Sequence, residues 1–256
     1  MIESITKAFN AYSKKPFLFV WGSLMYLILL IAFFFAALGL VLGYFITLSV
    51  FDKELDLQSL ATMAIFGIIA LVFVYFSCGL NAALAKVYRS AFWKERTSLT
   101  KFYAYALDRA PEMFGIMLLR DLIWLFIAGP GIAIYIYFLK GIDFMDILVA
   151  MYVLSVTFVI HMLFTPAFIS AGALGMDFYG SMKHAFEFIR KRHIFFIAQY
   201  ALFAVVWFLN FIPFIQLISL FFAYPVMYTA MIDMMESSIK TRPGKKAEEE
   251  EEEGEE

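Results

Sequence analysis

Residues 194–232 read IFFIAQYALFAVVWFLNFIPFIQLISLFFAYPVMYTAMI, a stretch of 39 residues without a charged side chain. One transmembrane helix needs about 20 apolar residues, so this stretch is long enough for two. Asn210-Phe211-Ile212-Pro213 lies near its middle, and proline removes an amide donor and disfavours helix at the residue before it. We therefore expect a tight hairpin at Pro213 between two membrane spans, at about 194–210 and 214–234.

Four further charge-poor blocks precede this hairpin. They predict spans at about 17–46, 59–85, 113–139 and 147–170, which together with the hairpin make six. The composition points the same way, since 63% of the residues are hydrophobic and 16% are charged, against about 45–50% and about 25% in globular domains. We expect an all-α, polytopic membrane helix bundle in which residues 17–239 form the membrane domain.

Lysine and arginine are distributed unevenly between the two sides that six spans would create. Seventeen of the 20 fall on one side, within 7–15, 86–109, 183–192 and 240–246, whereas Lys53 and Lys140 fall on the other and Arg120 lies within a span. Loops rich in these residues stay in the cytoplasm. The predicted location is therefore the cell membrane, with both termini cytoplasmic. A single long fifth span would place residues 240–246 outside, so the charges also favour the hairpin.

Three amphipathic segments flank the predicted spans. Residues 1–16 carry one apolar stripe, and each of the two large cytoplasmic loops carries another. Apolar residues at helical spacing predict helices that lie in the membrane interface. The stripes are Ile2, Ile5, Phe9 and Tyr12; Leu99, Phe102, Tyr103 and Ala106; and Met182, Ala185, Phe186 and Ile189.

The two loop stripes are 83 positions apart, and other residues follow the same shift. It relates Ser98 to Ser181, Trp124 to Trp207 and Pro130 to Pro213. A parallel internal repeat of span, interfacial helix and span is therefore one alternative, and a chance coincidence of few identities is the other.

The C-terminal segment 240–256 differs from the rest of the chain. Eight glutamates lie within 248–256, so the formal net charge of −2 hides a charge of +6 on the remaining residues. Repulsion between like charges predicts a disordered, solvated acidic tail on the cytoplasmic side.

Arg120 and Asp121 are the ionisable pair within a predicted span. Such a residue costs about 2.5–3.5 kcal/mol at the centre of a membrane helix, so it usually has a reason to be there. Adjacent helical residues point about 100° apart, so the two need not pair with each other. The structural interpretation has Arg120 snorkelling to the headgroups while Asp121 meets a partner between helices. The functional alternative has Asp121 lining a polar cavity or a proton path.

Other polar residues also fall within or beside the spans. His161 lies near the middle of the fourth span, where an imidazole could relay protons or hydrogen-bond across a helix interface. Asn81 is expected to make an interhelical hydrogen bond. Arg190, Lys191 and Arg192 form a basic run beside the membrane, which suits anionic lipid headgroups better than nucleic acid.

Small residues four apart occur in the first span, at Ala32 and Ala36 and at Gly39 and Gly43. Such spacing lets two helices approach closely, and it serves either packing within the bundle or self-association. His184 and Glu187 could contribute two metal ligands, but no second pair completes a site. We predict no metal and no cofactor.

The chain resembles a group of prokaryotic six-span membrane proteins, similar to the membrane domain associated with glycerophosphoryl diester phosphodiesterases. The likeness lies in Ala8-Phe9-Asn10-Ala11-Tyr12-Ser13-Lys14-Lys15-Pro16, in Phe164-Thr165-Pro166-Ala167-Phe168, and in Gly180-Ser181-Met182-Lys183-His184-Ala185-Phe186-Glu187-Phe188, together with the final hairpin. It implies a fold and no chemistry, because no soluble phosphodiesterase domain is present.

Two functional hypotheses follow. The first is a non-enzymatic membrane protein that organises lipid or a membrane or cytoplasmic protein partner, motivated by 31 phenylalanines and three interfacial helices. The second is a small transporter or channel component that uses the polar groups in kinked spans. A lipid-modifying enzyme lacks paired catalytic groups, and the sequence has no nucleotide-binding, metalloprotease or serine-hydrolase motif.

Overall fold

The computed structural model describes residues 2–50, 60–140, 142, 144–209 and 213–240, and these form helices joined by short turns. The helices are α1 Ile2–Lys14, α2 Pro16–Val50, α3 Leu60–Phe92, α4 Leu99–Ile134, α5 Met145–Gly172, α6 Phe178–Leu209, α7 Pro213–Ile218 and α8 Tyr224–Lys240. Two π-helical segments continue them, Tyr135–Leu139 after α4 and Ser219–Ala223 between α7 and α8. No strand occurs within these ranges, which confirms the all-α prediction.

Within the described ranges, four stretches of helix are long and apolar enough to cross a membrane. They are Pro16–Ser49, Ala61–Phe92, Leu99–Leu139 and Met145–Gly172, of 28 to 41 residues. Only 6–11% of the most apolar part of each is buried within the chain. Exposing an apolar surface of that extent to water is unfavourable, so lipid or another protein is expected to cover it. The predicted spans at 194–210 and 214–234 are not among these four, so the count of six stays a prediction.

Two predicted features lie outside the described residues. The first is the expected hairpin at residues 210–212, and the second is the acidic tail at residues 241–256.

The first predicted loop helix is continuous with the span that follows it. Ser98 caps α4 by accepting a hydrogen bond from the backbone N–H of Lys101 at 3.3 Å, and the helix then runs unbroken through Pro111 and Pro130. Its buried residues include Phe102, Ala106, Ala110 and Met113, so Phe102 and Ala106 of the predicted interfacial stripe pack inside the bundle, whereas Leu99 and Tyr103 are exposed. The i, i+4 face turns toward α3 rather than toward lipid.

The second predicted stripe lies near the start of α6, Phe178–Leu209, and it contains both buried and exposed residues. Ser181, His184, Ala185 and Phe188 are buried there, whereas Phe186 is 70% exposed. The repeat alignment pairs Ser98, a helix cap, with Ser181, a buried residue inside a helix. The parallel repeat therefore stays a prediction.

Helix α1 packs against α8 through small residues. Ser4 and Ala8 are buried, while Ile2 and Phe9 point outward and are 75% and 59% exposed. Tyr12 was predicted on the outward stripe, but it is buried, and this expectation was wrong.

The packed core lies toward the end of the bundle at which α3 and α5 finish and α4 and α6 begin. We call this the basic end. Three buried clusters lie there, and α3 contributes to all of them through Ala82, Ala83, Ala85 and neighbouring residues. Alanines let several helices approach α3 at once. The opposite halves of the helices carry most of the outward-facing large apolar side chains.

Helices α3 and α4 approach each other closely at Gly79 of α3. A Cβ atom built there would lie 2.2 Å from the backbone oxygen of Ala106 in α4 and 3.0 Å from the Ala110 Cβ. Only glycine fits at that distance. This contact fixes α4 against α3, and it positions the part of α4 that follows.

Candidate functional site

Arg120 and Asp121 pair with each other. Arg120 Nη2 lies 2.7 Å and Nε 2.8 Å from Asp121 Oδ1, and the guanidinium carbon lies 5.6 Å from the centre of the Phe168 ring on α5. The expectation that Arg120 snorkels away while Asp121 meets a partner between helices was therefore wrong. The flexible arginine side chain bends around its own helix, so the backbone angle between neighbours does not keep the two apart.

The pair borders a pocket of about 190 Å³ between α4 and α5. Its lining residues are Arg120, Asp121, Trp124, Thr157, Ile160 and His161. The sequence named Arg120, Asp121 and His161 as separate candidates, and the structure brings all three together. The Asp121 side chain is 52% exposed, so the pocket opens at the surface of the bundle.

Helical periodicity explains how these side chains meet. Trp124 lies four residues after Arg120, and Thr157 lies four residues before His161, so each shares a face with an ionisable residue. Trp124 Nε1 donates a hydrogen bond to Thr157 Oγ1 at 2.9 Å, and Thr157 Oγ1 donates to the Val153 carbonyl at 2.7 Å. This chain of bonds ties α4 to α5 at the edge of the pocket.

Thr157 and Trp124 were missed as site residues in the sequence. Their position one helical turn from the ionisable residues was the signal that could have found them. A polar residue one turn from an intramembrane charge adds a second group to the same face.

The pocket lies deep in the apolar part of the chain. Arg120 is eight residues beyond Glu112, about 12 Å along α4 at about 1.5 Å per residue. His161 is 11 residues before Gly172, about 16 Å from the basic end of α5. Both distances are close to half of the ~30 Å hydrocarbon thickness of a bilayer.

The charges in the pocket compensate one another in part. The Arg120–Asp121 ion pair is neutral overall, and the Phe168 ring adds a cation–π contact that is typically about 0.5–2 kcal/mol. His161 supplies an imidazole, whose two ring nitrogens can donate or accept a hydrogen bond. Chemically, the pocket offers one fixed cation, one carboxylate, one imidazole, a hydroxyl and an indole N–H.

The remaining predicted site residues lie elsewhere. Asn81 Nδ2 donates to the Ser77 carbonyl of its own helix at 2.9 Å, and Asn81 does not line the pocket. Arg190 and Lys191 are exposed on α6, in agreement with a headgroup-facing position. The Arg192 side chain lies outside the described residues.

His184, a weak candidate for a metal ligand in the sequence, contacts a serine of α5 in the structure. It is buried, and its Nδ1 lies 2.8 Å from Ser170 Oγ on α5. Across the described ranges, no three histidine, cysteine or carboxylate side chains come together in a metal-binding group.

The small residues of α2 face outward. Gly39 and Gly43 have no neighbouring atom within 4 Å of a built Cβ, and Ala32 and Ala36 are exposed. Within the described chain this stripe does not serve internal packing.

Comparison of the chain with protein-family models, with curated proteins and with solved structures gave no match in any of the three. The resemblance to the membrane domain of glycerophosphoryl diester phosphodiesterases therefore stays a prediction.

Proposed function

We propose that this chain is a non-enzymatic, multi-pass membrane protein that acts as a small transporter or channel component, with proton exchange at Asp121 and His161. One observation carries the proposal. Two titratable side chains from different helices line one open pocket, and both helices are long and apolar enough to cross a membrane. A bundle packed with phenylalanine alone would argue against transport. The α4–α5 interface instead contains the polar side chains of Arg120, Asp121, Thr157 and His161.

Protons suit this pocket better than a large solute. A volume of about 190 Å³ accommodates several water molecules, and the lining supplies the polar partners that such waters need. A carboxylate and an imidazole are the side chains that general acid–base chemistry uses most often, whereas a guanidinium serves as a hydrogen-bond donor. Arg120 therefore holds the carboxylate in place, and the other two groups carry the proton.

The finer topology belongs to the same proposal. Six spans with both termini in the cytoplasm would place the basic end at the cytoplasmic side of the cell membrane. The uneven distribution of lysine and arginine supports this orientation. The pocket would then connect to the cytoplasm along the α4–α5 interface.

Proton flux into liposomes tests the proposal. The purified chain is reconstituted with a pH-sensitive dye inside, and a potential is imposed across the membrane. Asp121→Asn and His161→Gln should each reduce the flux to the level of protein-free liposomes, because neither variant can pass the proton on.

Glu3→Gln is the matched control, since Glu3 is an exposed carboxylate outside the spans. Its flux should equal that of the unmodified chain. Wild-type flux in the Asp121→Asn variant would remove this carboxylate from any proton path.

A second function, the organisation of lipid, has its own observation. Arg190 and Lys191 are exposed on α6, and the outward face of α1 presents Ile2 and Phe9. Basic and apolar groups at one membrane boundary favour anionic lipid.

Arg190→Glu with Lys191→Glu should reduce the phosphatidylglycerol retained by the detergent-purified chain, while Lys140→Glu should leave it unchanged. Equal retention by both variants would exclude this role for the cluster.

A further inference from the structure

A group of cationic side chains at the basic end carries an inference that goes beyond the proposed proton pocket and uses none of its residues. We propose that Lys86 of α3 and Arg109 of α4 form a binding site for an anion of the phosphate class, beside the ring of Tyr105.

Tyr105 organises the site. Its hydroxyl donates a hydrogen bond to the Gly172 carbonyl at 2.7 Å, which fixes the ring against the turn between α5 and α6. The Lys86 ammonium lies 5.7 Å from the ring centre, and the Arg109 guanidinium carbon lies 5.8 Å from it. Two cations from different helices are thus held at one aromatic side chain by cation–π contacts.

The charges around Tyr105 are unevenly neutralised. Arg89 is satisfied, because its Nε lies 2.5 Å from Glu236 Oε1 and its Nη1 donates to the Ala173 carbonyl at 3.4 Å. Arg109 has Glu112 at 3.7 Å and Asp108 at 3.1 Å. Lys86 has no carboxylate within 4 Å among the described side chains. Of these three cations, the half-buried Lys86 is the one without a direct ion pair; Glu95 and Glu236 attract its ammonium from further away, while Arg89 and Arg109 repel it.

Arg109 also keeps unused hydrogen-bonding capacity. Its Nε is buried and makes no hydrogen bond, although the Asp108 oxygen is near. A buried donor without a partner costs about 1–3 kcal/mol, and an incoming acceptor removes that cost.

The turn between α5 and α6 leaves room beside Arg109. Gly175 has a φ of +71°, and a Cβ atom built there would lie 3.4 Å from Tyr105 Oη and 3.9 Å from Arg109 Nη2. Glycine adopts this backbone conformation without strain, and it adds no side chain over the two cations.

The chemistry of these groups selects a phosphate. Its several oxygens accept hydrogen bonds from an ammonium and a guanidinium together, and its charge pairs with the Lys86 ammonium, which has no direct ion pair. Two sources offer this group at a membrane boundary, namely free inorganic phosphate and the headgroup of an anionic lipid.

Binding is measured with the full chain and two probes. Inorganic phosphate is titrated against the detergent-purified protein, and vesicles of phosphatidylcholine with and without phosphatidic acid are compared after reconstitution. Saturable binding of phosphate identifies a soluble anion, and binding to phosphatidic acid alone identifies a lipid headgroup. Either result supports the site, and the absence of both overturns it.

Variants then locate the site. Lys86→Gln should weaken binding by about tenfold, which corresponds to one charge-assisted hydrogen bond, and Lys86→Arg should largely retain it. Lys101→Gln is the matched control, since Lys101 is exposed one helical turn before Tyr105. Equal affinities of Lys86→Gln and Lys101→Gln would exclude Lys86 as a ligand.

A measurement on the unmodified chain covers the case in which Lys86→Gln does not fold. Bound phosphate or phosphatidic acid should protect Lys86 from acetylation by acetic anhydride, while Lys101 should react equally with and without the anion. Loss of this difference would contradict the proposal.

Discussion

At the scale of single residues, Pro225 explains why two hydroxyl groups reach into the last helix. Proline has no N–H, so the carbonyls one turn before it lack that donor. Tyr12 donates to the Phe221 carbonyl at 3.0 Å, and Ser23 donates to the Leu220 carbonyl at 2.8 Å. Because the single Ser23 proton is used there, Tyr88 donates to Ser23 Oγ at 2.8 Å. Side chains from α1 and α2 thus donate to two carbonyls of the π-helical segment before Pro225, and Tyr88 of α3 bonds the serine that makes one of these contacts.

The Tyr12→Phe variant tests the first of these contacts. It keeps the ring and removes the hydroxyl, so the Phe221 carbonyl loses its donor in a part-buried position. We expect a loss of about 1–2 kcal/mol in the free energy of unfolding. Tryptophan fluorescence during thermal unfolding in detergent measures it.

Tyr179→Phe serves as the control, because the Tyr179 side chain is 74% exposed. It should unfold like the unmodified chain. Identical stability of the Tyr12 and Tyr179 variants would show that the hydroxyl of Tyr12 contributes nothing.

The residue scale also shows what sequence patterns could predict. Charge in an apolar segment identified Arg120, Asp121 and His161, because ionisable groups are rare there. That the three share a pocket depended on the register between α4 and α5, which sets the neighbours across the interface. No pattern in a single chain contains that register. The Arg120–Asp121 pairing depended on a rotamer, which the sequence does not specify.

At the scale of elements, the helices themselves were predictable and their buried faces were less so. Apolar length predicted the spans within α2 to α5, whereas the start of α4 at its Ser98 cap was not predicted. The predicted stripes of the two loop helices combine exposed residues with buried ones, because Phe102, Ala106 and Ala185 pack inside the bundle. Ala110 was not part of the predicted stripe, yet α3 packs against it and against Ala106 at Gly79.

Two glycine-to-alanine substitutions in α3, one at the contact with α4 and one away from it, test how close the two helices are. Gly79→Ala should lower the free energy of unfolding by roughly 1–3 kcal/mol, because the added methyl overlaps the Ala106 backbone. Gly67→Ala lies in the same helix with no atom within 4 Å. It should leave stability unchanged or raise it by up to about 1 kcal/mol, since alanine favours helix.

Thermal unfolding of the two glycine variants under identical conditions gives the comparison. A Gly79→Ala protein as stable as the Gly67→Ala protein would mean that α3 and α4 are further apart than described.

At the scale of the whole molecule, the four apolar helices and their low internal burial agree with a membrane protein. The distribution of basic residues supplies an orientation, and labelling can test it. Cys78 is the single cysteine and is buried, so a Cys78→Ala background permits new thiols at chosen sites.

In that background, Lys140→Cys should react with a membrane-impermeant maleimide on intact cells. Lys101→Cys and Ala247→Cys should react only after lysis, because both would lie in the cytoplasm. Labelling of Ala247→Cys on intact cells would require an odd number of spans, and the sixth would have to be reassigned.

The bond between Tyr12 and Phe221 joins positions 209 residues apart, and this separation has a consequence for biogenesis. During synthesis the first helix leaves the ribosome long before its acceptor exists, so it cannot reach its final position until the last helix has been made. Distant contacts of this kind form late. A nascent chain that stops short of Phe221 would leave the N-terminal helix undocked, which makes its protease sensitivity a marker of completed assembly.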